Sequence, residues 1–189
     1  GLTDKLYDEH RFNVIESIDK RDYSNLHIHI YPKNLTLTFY EKHTDGKFYD
    51  DFCNTIDRIA GKSKSLVVGY KDYLNEFRSR LNGANYYFDY WGSMLGKNDY
   101  SKAVIVFFTG VIDFGDHVYS AYAKVLSGNS PITNLAKAKD DIRTNQKLVM
   151  LYQLIYRSKL RQYTQEDIHV YVPVNSKLAA ELPTIFPGC

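Results

Sequence analysis

The chain has 189 residues, 44% apolar and 24% charged, with 24 Lys and Arg against 22 Asp and Glu. That length can bury a core without disulfides or metal. A net charge of +2 excludes a polycation that coats nucleic acid over its whole surface, and two distant cysteines, Cys53 and Cys189, exclude a disulfide scaffold. Seventeen Tyr and ten Phe are unusual, and tyrosine, an apolar ring with a polar tip, suits strand surfaces, core rims and interfaces. No apolar run approaches the length of a transmembrane span; the longest, Ala103–Phe108, is strand length. Asp4, Lys5, Asp8 and Glu9 break any signal-peptide pattern. The expected location is therefore intracellular, in the cytoplasm or nucleus of a host cell.

In chain order, Arg11–Ile18 alternates loosely and predicts a strand, and Leu26–Tyr31 a second. Pro32-Lys33-Asn34 is turn chemistry. Leu35–Tyr40 alternates cleanly, which predicts a third strand paired with the second as a hairpin. Phe52, Ile56 and Ile59 recur at helical spacing within Phe48–Ala60, and Gly61 stops that helix. Ser65–Val68 predicts a short strand, Tyr70–Leu81 a helix and Tyr86–Trp91 an extended segment. Ala103–Thr109 reads as a buried central strand. His117–Leu126 predicts a helix closed by Ser127-Gly128. The longest helix is expected over Thr133–Arg161, with an apolar stripe through Leu135, Ala138, Ile142, Val149, Tyr152, Tyr156 and Leu160, widened by Leu148, Leu151 and Ile155. Ile168–Val172 predicts a last strand and Ser176–Leu182 a short helix. The expected fold class is α+β, without the regular strand–helix alternation of a doubly wound sheet. It would have an N-terminal β-hairpin or meander region with helices, and a long C-terminal helix packed against the sheet. One domain spans 1–189, β-rich over 11–45, mixed over 46–110 and helix-rich over 111–189.

Three fragments could carry chemistry. In Leu26-His27-Ile28-His29-Ile30, period two places both imidazoles on one face, the beginning of a metal site. This stretch resembles the His-hydrophobic-His strand of HUH-type nucleases, in which two histidines hold a divalent ion against a DNA phosphate and a helical tyrosine attacks it. The resemblance implies His27, His29 and Glu16 as ligands of Mg or Mn, with Tyr156 of Tyr156-Arg-Ser-Lys159, or Tyr119, as nucleophile. Thr109–Asp116 resembles the metal-binding segment of aminoglycoside-phosphotransferase-like kinases. It has no glycine-rich nucleotide loop to go with it, so Asp113 and Asp116 read as turn residues. Cys53, inside an amphipathic helix, reads as a buried, inert thiol.

The third fragment is a charge asymmetry. Between Asn134 and Arg161, seven cations (Lys137, Lys139, Arg143, Lys147, Arg157, Lys159 and Arg161) face only Asp140 and Asp141. A basic helix beside tyrosines can follow phosphates or anionic lipid heads. The function expected first is a non-catalytic interaction or assembly protein of viral or mobile-element type, with no cofactor. Its partner would be nucleic acid, a membrane surface, another protein or copies of itself as a homo-oligomer. The alternative is the metal-dependent, HUH-type single-stranded DNA nuclease.

Overall fold

The computed structural model describes residues 22–31, 33, 35–43, 46–81, 83–94, 97–128 and 134–189. Among the described residues five strands form one sheet: β1 (Leu26–Ile30), β2 (Ser65–Gly69), β3 (Tyr86–Tyr90), β4 (Ile105–Phe108) and β5 (Ile168–Val172). Their spatial order is β1-β5-β4-β2-β3, and every pair is parallel. The helices are α1 (Leu37–Lys42), α2 (Lys47–Ala60), α3 (Leu74–Arg80), α4 (Asp116–Ser127), α5 (Leu135–Ile155) and α6 (Ser176–Ile185). The mixture of helices and sheet and the long C-terminal helix against the sheet are as expected. The strand and helix assignments from Phe48 onward also hold, with α5 ending at Ile155 and a 3-10 turn following at Lys159–Gln162.

The N-terminal hairpin is not formed. β1 pairs instead with β5, running parallel from Leu26↔Ile168 to Ile30↔Val172. The alternating segment Leu35–Tyr40 enters α1, because Thr36 caps it: its hydroxyl accepts from the Phe39 N–H at 3.2 Å. The helix then buries Tyr40 completely and leaves Leu37 exposed, the opposite of what a strand pattern assumes. Strand–helix alternation is also more regular than expected. It fails at one connection, β3 to β4, where none of the described residues is helical. The expected strand Arg11–Ile18 lies outside the described residues.

All-parallel pairing follows from burial on both faces. On one face Leu26, Leu66, Val68, Val106, Phe108, Ile168, Val170 and Val172 pack against Leu148, Leu151 and Ile155 of α5 and Leu178 and Leu182 of α6. On the other, Val67, Ile105 and Phe107 pack against Tyr40 of α1, Tyr49, Cys53 and Ile56 of α2 and Phe77 of α3. The result is a three-layer sandwich. Cys53 is 3% exposed, and burial pushes its thiol up to about 12. A thiol reagent at neutral pH should therefore label exposed Cys189 well before Cys53, which reacts only after denaturation. Mass spectrometry of the native protein showing two fast labels would contradict the buried thiol.

Candidate functional site

In a parallel sheet, ligands favour the carboxyl edge, where adjacent strands send their connections to opposite faces. Here that point lies between β2, which leads to α3, and β4, which leads to α4 and α5. Aromatic side chains fill it. Tyr31 donates to Phe108 O, Tyr40 to Thr109 O, Trp91 Nε1 to Gly110 O at 3.0 Å and Tyr70 to Val111 O at 3.0 Å. Four consecutive carbonyls leaving β4 are thus satisfied by ring-borne donors. Part of the tyrosine excess serves this purpose, since a carbonyl leaving a buried strand needs a donor that is itself apolar enough to be buried.

Beside this plug a polar cavity of about 510 Å³ opens between Lys33, Thr36, Asp113, Arg143, Lys147 and Lys177. Its cations are largely paired. Lys147 holds Asp113 at 2.8 Å, Arg143 holds Asp113 at 3.3 Å and also Asp116, and Lys177 holds Asp140. Asp113 and Asp116 are therefore ion-pair partners of α5 rather than simple turn residues. Lys139 joins them, 3.0 Å from Asp116.

Because α5 is 21 residues long, its ends lie about 30 Å apart, and the basic segment does not form one surface. Lys137, Lys139, Arg143 and Lys147 lie toward the carboxyl edge. Arg157, Lys159 and Arg161 lie at the amino edge, where Lys159 N–H bonds Ala103 O at 2.9 Å, just before β4. Lys159 pairs with Glu166. Arg157 and Arg161 behave differently. Neither has an ion pair with a described carboxylate. Both guanidinium groups converge on Asn98: Arg157 donates to Asn98 Oδ1 at 3.4 Å and to Lys97 O at 3.2 Å, and Arg161 donates to the same Oδ1.

A buried carboxylate holds the segment that presents Asn98. Asp89, near the end of β3, is 3% exposed. It accepts from Lys97 Nζ at 2.9 Å, from the Tyr90 N–H at 2.8 Å and from the Tyr100 hydroxyl. Burial alone would raise its pKa. The hydrogen bonds from Tyr100, Lys97, Tyr90 and Ser93 outweigh burial and hold it below the usual carboxylate value. Sequence reading singled out neither Asp89 nor Asn98. A lone Asp in an aromatic strand, followed by a Gly-, Lys- and Asn-containing loop, was the available signal.

His27 and His29 do share a face, as expected, and β5 adds a third imidazole. His169 is the register partner of His27, and its Nδ1 lies 3.0 Å from His29 Nε2. Neither candidate nucleophile approaches them. Leu26 and Ile28 point to the α5–α6 face, so His27 and His29 point to the other. Tyr156 packs on the α5–α6 face with its hydroxyl 2.6 Å from that of Tyr23. Tyr119 is buried between α4 and α5, donating to Asp113 Oδ1 at 2.8 Å and accepting from the Phe114 N–H at 2.9 Å. The sheet separates both tyrosines from the histidines, and Glu16 lies outside the described residues.

Comparison with protein-family models, with curated proteins and with solved structures finds no significant match. The site therefore rests on its own chemistry. Among the described residues no helix is long and apolar enough to cross a membrane.

Proposed function

We propose that this chain is a phosphate-recognition module, and that Arg157 and Arg161 at the amino edge of the sheet grip the phosphates of a nucleic acid strand or a nucleotide. One observation carries the reading: two guanidinium groups without a described carboxylate partner converge on a single neutral amide oxygen, that of Asn98. Most other cations of the basic segment, Lys139, Arg143, Lys147 and Lys159, are already neutralised by Asp or Glu. A guanidinium fork matches phosphate geometry, and a neutral acceptor is readily displaced by an anion. The polar cavity at the carboxyl edge is less suited, because acids within it already satisfy its cations.

The test is fluorescence anisotropy with a labelled single-stranded oligonucleotide and, separately, a fluorescent nucleoside triphosphate. Arg157→Glu with Arg161→Glu should abolish binding, whereas Lys137→Glu, at the far end of α5, should leave it intact. If the phosphates belong to a strand, the milder Arg157→Ala/Arg161→Ala variant, which removes two contacts and weakens binding, should flatten the dependence of log affinity on log salt by about 1.4. Binding of the triphosphate but not of the strand assigns the phosphates to a nucleotide. Failure of both ligands, or binding indifferent to the double charge reversal, would overturn the proposal.

A further inference from the structure

We propose that His27, His29 and His169 form a binding site for a d-block divalent cation such as Zn²⁺, on the open face of the β1–β5 edge and independent of the arginine pair. Parallel register places His169 directly beside His27, and period two places His29 on the same face. The rings form one column, with centroids 4.9 Å apart for His27–His169 and 5.3 Å for His29–His169.

The decisive geometry is the contact between His29 Nε2 and His169 Nδ1 at 3.0 Å. Without metal, the N–H of one ring donates to the lone pair of the other at that distance. Two imidazole nitrogens on tetrahedral zinc, each about 2.0–2.1 Å from the ion, stand about 3.3 Å apart. The pair is therefore a few tenths of an ångström from ligand spacing before any ion arrives.

His27 is set up as the third ligand. Its Nε2 lies 3.0 Å from a carboxylate oxygen of Asp167. With Nε2–H donating to that carboxylate, Nδ1 keeps its lone pair, and a carboxylate behind an imidazole is the arrangement that orients metal-binding histidines. Among the described residues no three such side chains already surround one point, because the rings stack. Closure of the site requires rotation of His27, whose side chain is 42% exposed, out of its stack on His169. Helix α2 leaves this edge accessible: its buried residues pack with Val67, Ile105 and Phe107 of the inner strands. Imidazole donors select Zn, Cu, Ni or Co over Mg or Mn, which prefer oxygen.

The experiment is an optical titration of tag-free, full-length protein with Co²⁺, followed by competition with Zn²⁺. One equivalent of Co²⁺ should give visible d–d bands that Zn²⁺ abolishes. His29→Ala and His169→Ala should each eliminate them, and Asp167→Asn should weaken binding by about tenfold to a hundredfold. Cys189→Ser should leave the bands unchanged, which separates the site from the exposed thiol. The ligands lie at an exposed edge, so metal-free thermal melts of the variants should match wild type and exclude misfolding. Absence of bands at millimolar Co²⁺, or bands that survive in the His29→Ala/His169→Ala double variant, would overturn the proposal.

Discussion

Asp89→Ala should be the most damaging single polar substitution in this chain. It removes one carboxylate and strands three donors: Lys97 Nζ, the Tyr100 hydroxyl and the Tyr90 N–H. Breaking a buried charged network of this kind costs about 3–5 kcal/mol. For a chain of this size each kcal/mol lowers the melting temperature by about 2–4 °C, so a fall of about 6–20 °C is expected. The variant should also lose the phosphate binding proposed for Arg157 and Arg161, because the segment carrying Asn98 is no longer held. Asp89→Asn separates the two effects: it keeps the shape, loses the charge and should be intermediate in both. A melt within 2 °C of wild type for Asp89→Ala, about the shift that ordinary surface substitutions give, would show that the network contributes little.

The same carboxylate sets a pH dependence whose sign can be worked out. The folded-state pKa of Asp89 lies below the ordinary aspartate value of 3.8. Its stabilising contribution is therefore fully present above that value and is lost as pH falls through the depressed folded pKa. Wild-type stability should drop on the acid side of 3.8, and Asp89→Asn should show a shallower acid limb. Denaturant melts across that range measure it. Parallel acid limbs in the two proteins would rule out this contribution.

Gly110→Ala should be the second large effect, for a purely steric reason. A Cβ at Gly110 would lie 2.5 Å from Tyr70 Cε2 and 2.7 Å from the Leu35 carbonyl oxygen. Neither neighbour yields easily. Tyr70 is fixed by hydrogen bonds from its hydroxyl to Val111 O at 3.0 Å and Leu35 O at 3.4 Å, and the other contact is backbone. Overpacking of this kind costs about 1–3 kcal/mol, and the upper end is expected because the Trp91–Gly110 bond is disturbed as well. Tyr70→Phe combined with Gly110→Ala should not restore stability, since the ring carbon that clashes remains. Recovery in that double variant would place the strain in the hydroxyl rather than the ring.

Local chemistry accounts for the parts of the fold that could be read early. The Gly61 stop, the Gly128 stop, the buried run of β4 and the apolar stripe of α5 depend on neighbours within a few residues, and each element lies close to where its pattern puts it. Leu35–Tyr40 shows the limit. Its alternation is a genuine strand signal, yet the Thr36 cap and the burial of Tyr40 against Phe77 and Tyr73 reward a helix more. The site was harder to read than the fold. Charge counting along α5 found Arg157 and Arg161, but it could not separate them from Lys139, Arg143 and Lys147, because the acids that neutralise those three come partly from the α4 side of the fold.

By itself, then, the sequence determined the element types from Phe48 onward and the shared face of His27 and His29, because these follow from periodicity over a few residues. Tertiary structure decided everything that needs two distant segments: β5 rather than Leu35–Tyr40 as the neighbour of β1, His169 beside His27, Asp89 beneath Lys97, and Asn98 between two arginines. Those pairings are set by which buried surfaces fit together across the whole chain, and no local pattern encodes that competition.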